Sequence, residues 1–127
     1  MRAVLLDQNT FIKSISLTSL KLPLTELTCY PSTSQSELLA RCEHIEIIIT
    51  NKVILSASTL AKLPHVKLIC IAATGTNNVD INAARTLNIA VTNVSGYANQ
   101  AVSQYIFAQL LEYYSHTHHH HKNTESG

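Results

Sequence analysis

Short apolar segments recur along the chain and alternate with segments of helical character. The clearest apolar runs, rich in β-branched residues, lie at residues 3–6, 46–49, 68–72 and 89–92, and a weaker one lies at residues 24–30. Runs of this length, separated by helical segments, are typical of parallel strands that are buried on both faces of a sheet.

The segments between the apolar runs carry helix start signals. Ser34 and Glu37 have the spacing of a capping box, and Ser56 and Asp80 are side chains that commonly cap a helix. The clearest helix is predicted from about residue 99 to residue 114, where apolar residues recur at intervals of three and four. Alternating strands and helices predict an α/β fold with a flavodoxin-like, doubly wound parallel sheet.

The amino-acid composition indicates a folded domain and argues against some classes of binding partner. Apolar residues make up 46% of the 127 residues, which is enough for a buried core, and the net charge of +1 argues against nucleic acid or an acidic membrane as a partner. No apolar run approaches the ~20 residues that span a bilayer. The three cysteines lack a C-x-x-C spacing, which favours buried free thiols and a cytoplasmic location over disulfides or metal.

Residues 115–127 lack apolar periodicity, so we expect a flexible tail there. The tail contains His116 and four consecutive histidines at positions 118–121. Histidine-rich tracts can bind transition metals, but a flexible segment without a fixed second shell does not set a metal's geometry. We therefore predict no functional metal site and only adventitious binding of nickel or zinc; a histidine tail that binds metal as its function is an alternative.

Polar residues follow three of the predicted strands, at residues 50–52, 73–78 and 92–97. The carboxyl ends of strands in an open α/β sheet are where ligands bind, although strand-to-helix turns are also polar for conformational reasons. Gly75 lets the backbone approach an anion closely, and Lys52 adds positive charge. This combination favours a site for a small carboxylate.

Four segments of the chain together resemble the D-isomer-specific 2-hydroxyacid dehydrogenases, and among them the glycerate dehydrogenase (hydroxypyruvate reductase) branch. They are I-T-N-K-V at residues 49–53, I-C-I-A-A-T-G-T-N-N-V-D at 69–80, I-A-V-T-N-V-S-G-Y at 89–97 and V-S-Q-Y-I-F-A at 102–108. The resemblance extends over residues 1–114. It implies a 2-hydroxy or 2-keto acid as substrate, NAD or NADP as cofactor, and a homodimer for full-length members of the family.

The resemblance also implies roles for individual residues. Residues 1–98 would form the substrate-binding (catalytic) domain, and residues 99–114 would be the first helix of an NAD-binding domain. The implied substrate-binding residues are Asn51, Lys52, Ala73, Thr74 and Gly75. The implied cofactor-binding residues are Thr74 and Val102, and the implied hinge residues are Asn93, Gly96 and Tyr97.

The sequence lacks several parts that a working dehydrogenase needs. Glycines occur only at positions 75, 96 and 127, so the G-x-G-x-x-G motif that cradles a dinucleotide is impossible. The family's catalytic Arg, carboxylate and His would follow residue 127. We therefore expect a C-terminally truncated chain with no catalytic residue of its own. It should not bind NAD tightly and should have no dehydrogenase activity alone. We also expect the apolar helix at 99–114 to cause poor solubility or a non-native oligomer.

A non-enzymatic flavodoxin-like module that binds a small ligand or a partner is the main alternative. A phosphoacceptor receiver domain would need several acidic residues after its first strand. Here that position offers only Asp7, followed by Gln8, Asn9 and Thr10.

Overall fold

The predicted alternation of strands and helices is present in a computed structural model of the chain, which describes residues 1–11 and 24–125. The strands are β1 (Arg2–Leu5), β2 (Glu26–Cys29), β3 (Ile47–Thr50), β4 (Leu68–Ile71) and β5 (Ala90–Asn93). The helices are α1 (Gln35–Cys42), α2 (Ala57–Leu60), α3 (Ile81–Thr86), α4 (Asn99–Ser115) and α5 (Thr117–Glu125). A short 3-10 turn at Gln8–Thr10 follows β1.

All the strand pairs of the sheet are parallel, in the order β2-β1-β3-β4-β5. This is the flavodoxin-like order of a doubly wound sheet, so the predicted fold class is confirmed. The register aligns the carboxyl ends of the strands, with Thr50 opposite Ile71 and Ile71 opposite Asn93. The polar turns after β3, β4 and β5 consequently lie along one edge.

The core is built from the apolar runs that the sequence singled out. Residues 3–6 are fully shielded from solvent, as are Ile48 in β3 and Ile69 in β4. Side chains of α1, α2 and α3 pack onto the same core, which includes Leu38, Leu60 and Ala84. Burying a large aliphatic side chain contributes about 1.5–3 kcal/mol, so these apolar side chains determine which face of each element packs on the core.

The three predicted helix caps are confirmed. The backbone N–H and hydroxyl of Ser34 both donate to Oε2 of Glu37, at 2.9 and 2.6 Å. The Ser56 hydroxyl accepts from the N–H of Thr59 at 3.3 Å. Oδ1 of Asp80 accepts from the N–H of Ala83 at 2.9 Å.

The cysteines match the predicted thiols only in part. Cys42 is fully buried, and burial raises its pKa to about 12, with the nearby Arg41 charge acting in the opposite direction. Cys70 is a free thiol that is half-buried, and Cys29 is half-buried as well. The prediction of buried thiols therefore holds fully for Cys42 alone. Cys70 occupies a less covered position of β4, along which half-buried and buried residues alternate, and Cys29 lies in β2, whose residues are half-buried or exposed.

The chain divides into two compact units, Met1–Ser95 and Gly96–Gly127. The division falls close to the predicted boundary at residue 98. In the second unit, α4 exposes a row of large apolar side chains, with Phe107 65% and Leu111 63% accessible. No helix in the described ranges is both long and apolar enough to span a bilayer.

Residues 117–125, which lie in the segment predicted to be a flexible tail, form helix α5. His116 adopts a left-handed conformation, with φ of 49°, and ends α4. The Glu112 carboxylate then accepts hydrogen bonds from the Thr117 hydroxyl and from the N–H of His118. These hydrogen bonds cap the start of α5. The helix has no apolar stripe, so apolar periodicity did not predict it. Residues 126 and 127 lie outside the described part of the chain.

Candidate functional site

The turns that follow β3 and β4 lie on either side of one cleft. Its volume is about 380 Å³, and its lining residues are Asn51, Lys52, Ile54, Ala73, Gly75, Asn77 and Asn78. The structure thus brings together four of the five predicted substrate-binding residues. Thr74, the fifth, is exposed beside the cleft and is not part of its lining.

Asp7 holds the turn after β3 in place. Its side chain lies directly beyond β1, is 4% exposed, and accepts from the N–H of Asn51 at 3.0 Å and from the N–H of Lys52 at 2.6 Å. The hydroxyl of Thr50 donates to the same carboxylate at 3.1 Å. From the sequence, Asp7 was a candidate only for a phosphoacceptor, and a buried carboxylate with three donors is a poor candidate for that role.

Asn93 holds the turn after β4. Its Nδ2 donates to the carbonyl oxygen of Thr74 at 2.7 Å, and the N–H of Val94 donates to the carbonyl of Ala73 at 3.0 Å. Asn93 was predicted as a hinge residue, and in the structure it ties the end of β5 to the neighbouring turn.

Gly75 supplies space in this turn. A Cβ added there would lie 3.2 Å from Oδ1 of Asn77, which is tighter than ordinary van der Waals contact. A side chain at this position would crowd Asn77, so glycine suits the turn, and its backbone lines the cleft.

The lining of the cleft is suited to an anion. Among the described residues that line the cleft, Lys52 is the one basic side chain and none is a carboxylate. The amides of Asn51, Asn77 and Asn78 add hydrogen-bonding groups. Ile54 and the two later asparagines were not among the predicted site residues, although Asn77 and Asn78 lie within the polar segment that the sequence marked.

The described residues do not fit a bound dinucleotide. A pyrophosphate is usually held by a glycine-rich turn at a helix N-terminus, whereas α4 begins after Ala98 with no side-chain cap and with a single nearby glycine, Gly96. Gly96 has φ of 75°, consistent with a turn, and Tyr97 is 73% exposed. Val102, predicted to approach the cofactor, is 53% exposed on α4.

The remaining histidines and acidic residues form no further candidate site. Among residues 1–11 and 24–125, no group of three or more His, Cys, Asp or Glu side chains is placed to hold a metal ion. His44 and His65 are exposed, with ring centres 5.9 Å apart. They line a cavity of about 260 Å³ together with Arg2, Glu46, Pro64 and Lys67.

Comparison with known proteins establishes the family. The family described as D-isomer specific 2-hydroxyacid dehydrogenase, catalytic domain, matches residues 4–123. The chain belongs to the D-isomer specific 2-hydroxyacid dehydrogenase family. The resemblance inferred from the sequence is confirmed.

Individual relatives agree with this assignment. The chain is 42% identical over 111 residues to a putative 2-hydroxyacid dehydrogenase of Haemophilus influenzae, with 87% of this chain and 35% of the relative covered. It is 33% identical over 95 residues to a hydroxypyruvate reductase of Blautia hydrogenotrophica, covering 75% of this chain and 30% of the relative. The chain therefore spans about a third of the length of these relatives.

A solved structure supports the same fold. An acyclic imino acid reductase in complex with NADPH and D-Arg superimposes with a TM-score of 0.77 at 20% sequence identity. The match covers 88% of this chain and 36% of that one.

Proposed function

We propose that the cleft between the turns after β3 and β4 binds the carboxylate of a small 2-hydroxy or 2-keto acid, with glycerate and hydroxypyruvate as the expected pair. The chain would thereby act as the substrate-binding part of an NAD(P)-dependent dehydrogenase. The observation that carries this proposal is the convergence of Lys52, Asn51 and the Gly75 backbone on one cleft of about 380 Å³.

The chemistry of the cleft supports a carboxylate ligand. A hydrogen bond between ionised partners is roughly twice as strong as one between neutral groups, so the Lys52 ammonium would contribute most to holding the acid. The Asn51 amide and the backbone N–H groups at Thr74 and Gly75 would supply further donors. The cleft volume lies in the lower part of the ~300–1,000 Å³ range of small-molecule sites.

Family membership and the name of the Blautia relative support the choice of substrate. The dinucleotide does not fit the described residues, so we assign no hydride or proton transfer to them. We propose instead that Thr74 and Val102 approach a cofactor that is held by other residues, and that this chain alone has no dehydrogenase activity. A cytoplasmic location and a homodimer of the full-length enzyme belong to the same proposal.

The proposal is tested by titrating the isotope-labelled chain with hydroxypyruvate and following backbone amide shifts. Dihydroxyacetone is the ligand control, because it retains the ketone and the hydroxymethyl group of hydroxypyruvate and has a second hydroxymethyl group in place of the carboxylate. We expect hydroxypyruvate to shift the amides of Thr74 and Gly75, and dihydroxyacetone to leave them in place. Lys52→Met should lower the affinity for hydroxypyruvate about tenfold, the effect of losing about 1.4 kcal/mol.

Lys62→Met is the matched control variant. Lys62 is also exposed but lines a different cavity, with Leu39, Ala40 and Glu43. Its removal should leave the affinity unchanged. Equal responses to the two ligands, or equal effects of the two lysine variants, would refute carboxylate binding in this cleft.

A further inference from the structure

We propose that Asp7 is a positioning residue of the cleft: its buried carboxylate fixes the turn after β3 so that the side chains of Asn51 and Lys52 are available to the ligand. This inference rests on the proposed function for the identity of the ligand. The contacts of Asp7 with the turn stand independently of it.

The first argument is the number of donors that converge on one buried carboxylate. The Asp7 side chain is 4% exposed and accepts hydrogen bonds from two consecutive backbone N–H groups and from the Thr50 hydroxyl. No Lys or Arg side chain is paired with it in the described part of the chain. A buried carboxylate without a counter-ion is stabilised by such donors, so it resists any movement of the turn that would break them.

The second argument is the place of Asp7 in the sheet. β1 and β3 are neighbours in the order β2-β1-β3-β4-β5, and in this fold the ligand site is expected where the strand order reverses, between β1 and β3. At this position the Asp7 carboxylate already accepts hydrogen bonds from the N–H groups of Asn51 and Lys52. An incoming anion cannot use those donors, so it is directed to the side chains of the turn and to the cleft between β3 and β4.

The third argument is that the hydrogen bonds that start at Asp7 continue to the opposite side of the cleft. The hydroxyl of Thr50 donates to Asp7 and accepts from the N–H of Val53 at 3.1 Å. The carbonyl of Val53 accepts from Nδ2 of Asn78 at 3.2 Å, and Asn78 belongs to the opposite turn. A chain of hydrogen bonds thus links Asp7 to both walls of the cleft.

The experiment compares the full chain with its Asp7→Asn variant. Asparagine keeps the shape of the side chain but removes its charge and replaces one acceptor oxygen with an NH₂ group. That group faces either the N–H of Asn51, at the Oδ1 position, or all three donors, at the Oδ2 position, so the bonds to the turn are weakened in both orientations. We expect the amide proton resonances of Asn51 and Lys52 to move upfield and their hydrogen exchange to accelerate about tenfold or more. The affinity for hydroxypyruvate should fall about tenfold.

Asp80→Asn is the matched control. Asp80 also accepts a backbone N–H through its side chain, but at the start of α3, where asparagine caps equally well. This variant should leave the amides of Asn51 and Lys52 and the affinity for hydroxypyruvate unchanged.

Wild-type exchange supplies a test that does not depend on the folding of any variant. Asn51 and Lys52 lie outside the strands and helices, so protection of their N–H groups would come from the Asp7 carboxylate. Rapid exchange of both amides in the wild-type chain would overturn the proposal. So would an Asp7→Asn variant that shifts these amides while binding hydroxypyruvate as tightly as the wild type.

The two proposals fail in distinguishable ways. If the wild-type chain does not bind hydroxypyruvate, the proposed ligand is wrong, and the amide shifts and exchange still report whether Asp7 holds the turn. If the wild type binds it and Asp7→Asn changes neither the amides nor the affinity, the ligand assignment stands and the role of Asp7 is refuted.

Discussion

Asn88 lies just beyond the carboxyl end of α3 with a backbone φ of 57°, in the left-handed region. Its N–H donates to the carbonyl of Arg85 at 3.1 Å, and the next residue, Ile89, enters the core. The left-handed turn therefore directs the chain from α3 into β5. Asparagine tolerates this conformation better than most residues that have a Cβ.

We predict that Asn88→Ala lowers the free energy of unfolding by about 1 kcal/mol, because alanine pays the full cost of a left-handed backbone. Asn88→Gly should leave it within about 0.5 kcal/mol of the wild type or raise it slightly, since glycine has no such cost. Urea unfolding at neutral pH measures both. Equal stabilities of the two variants would show that the conformation of residue 88 does not limit the fold.

At the scale of residues, the sequence predicted the groups that belong to polar turns and missed the group that organises them. Asn51, Lys52 and Gly75 could be predicted because they directly follow apolar strands. The role of Asp7 could not, because its partners lie 43 to 45 positions away and only the pairing of β1 with β3 brings them together.

At the scale of elements, the capping box of α1 links the stability of that helix to pH. Hydrogen bonds from the Ser34 hydroxyl and from the Ser34 N–H lower the pKa of the Glu37 carboxyl, and the Arg41 charge lowers it further. Arg41 also donates to Glu37 one helical turn away, at 2.5 Å. The ionised carboxylate is the form that caps the helix.

We predict that Glu37→Gln destabilises the chain at neutral pH and has a much smaller effect in acid. A lowered pKa in the folded state means that the stabilisation is present above the ordinary carboxyl pKa and is lost as the pH falls through the lowered value. Urea unfolding at pH 7 and pH 3 measures the difference between wild type and variant.

Glu43→Gln is the control for this measurement, since Glu43 is exposed at the other end of α1. The control should show no comparable change between the two pH values. A Glu37→Gln effect of the same size at pH 3 and pH 7 would contradict the role of the ionised carboxylate.

The elements differed in how far the sequence could predict them. β1, β3 and β4 were placed within one or two residues, because each is a run of apolar residues with buried side chains. β2 and β5 are both edge strands with half-buried or exposed side chains. β5 was placed as closely because apolar residues 89–91 form a continuous run, whereas the signal of β2 was weak. α5 gave none, since local hydrogen bonds to Glu112 start it and no core selects its apolar positions.

At the scale of the whole molecule, the exposed apolar face of α4 is the feature most expected to cause self-association. Ile106 is 51%, Phe107 65%, Leu110 47% and Leu111 63% accessible. A soluble chain rarely leaves so many neighbouring large apolar side chains uncovered. Covering them through association removes apolar area from water at about 25 cal/mol per Å².

We predict that the purified chain self-associates through α4 and that the double variant Phe107→Glu, Leu111→Glu shifts it towards the monomer. The two side chains lie one turn apart on the same face of the helix. Sedimentation velocity over a range of chain concentrations measures the effect. Leu39→Glu, a charge placed at an exposed leucine of α1, should leave the association unchanged; a wild-type chain that sediments as a monomer would contradict the prediction.

The overall architecture was only partly contained in the pattern of the sequence. Alternating strands and helices predict a doubly wound parallel sheet, but that pattern is compatible with more than one order of strands. The flavodoxin-like order of the strands depends on which face of the sheet each helix covers. The hydrophobic pattern of a single segment does not determine that face.

The central position of β1 has a consequence for how the chain acquires its fold. β1 pairs with β2 on one side and with β3 on the other, and both partners are synthesised later. Parallel neighbours cannot be joined by a tight hairpin, so each pairing closes a long loop and slows folding. The side chains of residues 3–6, fully buried in the folded chain, therefore lack the second neighbouring strand of β1 until residue 50 has left the ribosome, and the nascent chain must keep this apolar segment from aggregating until then.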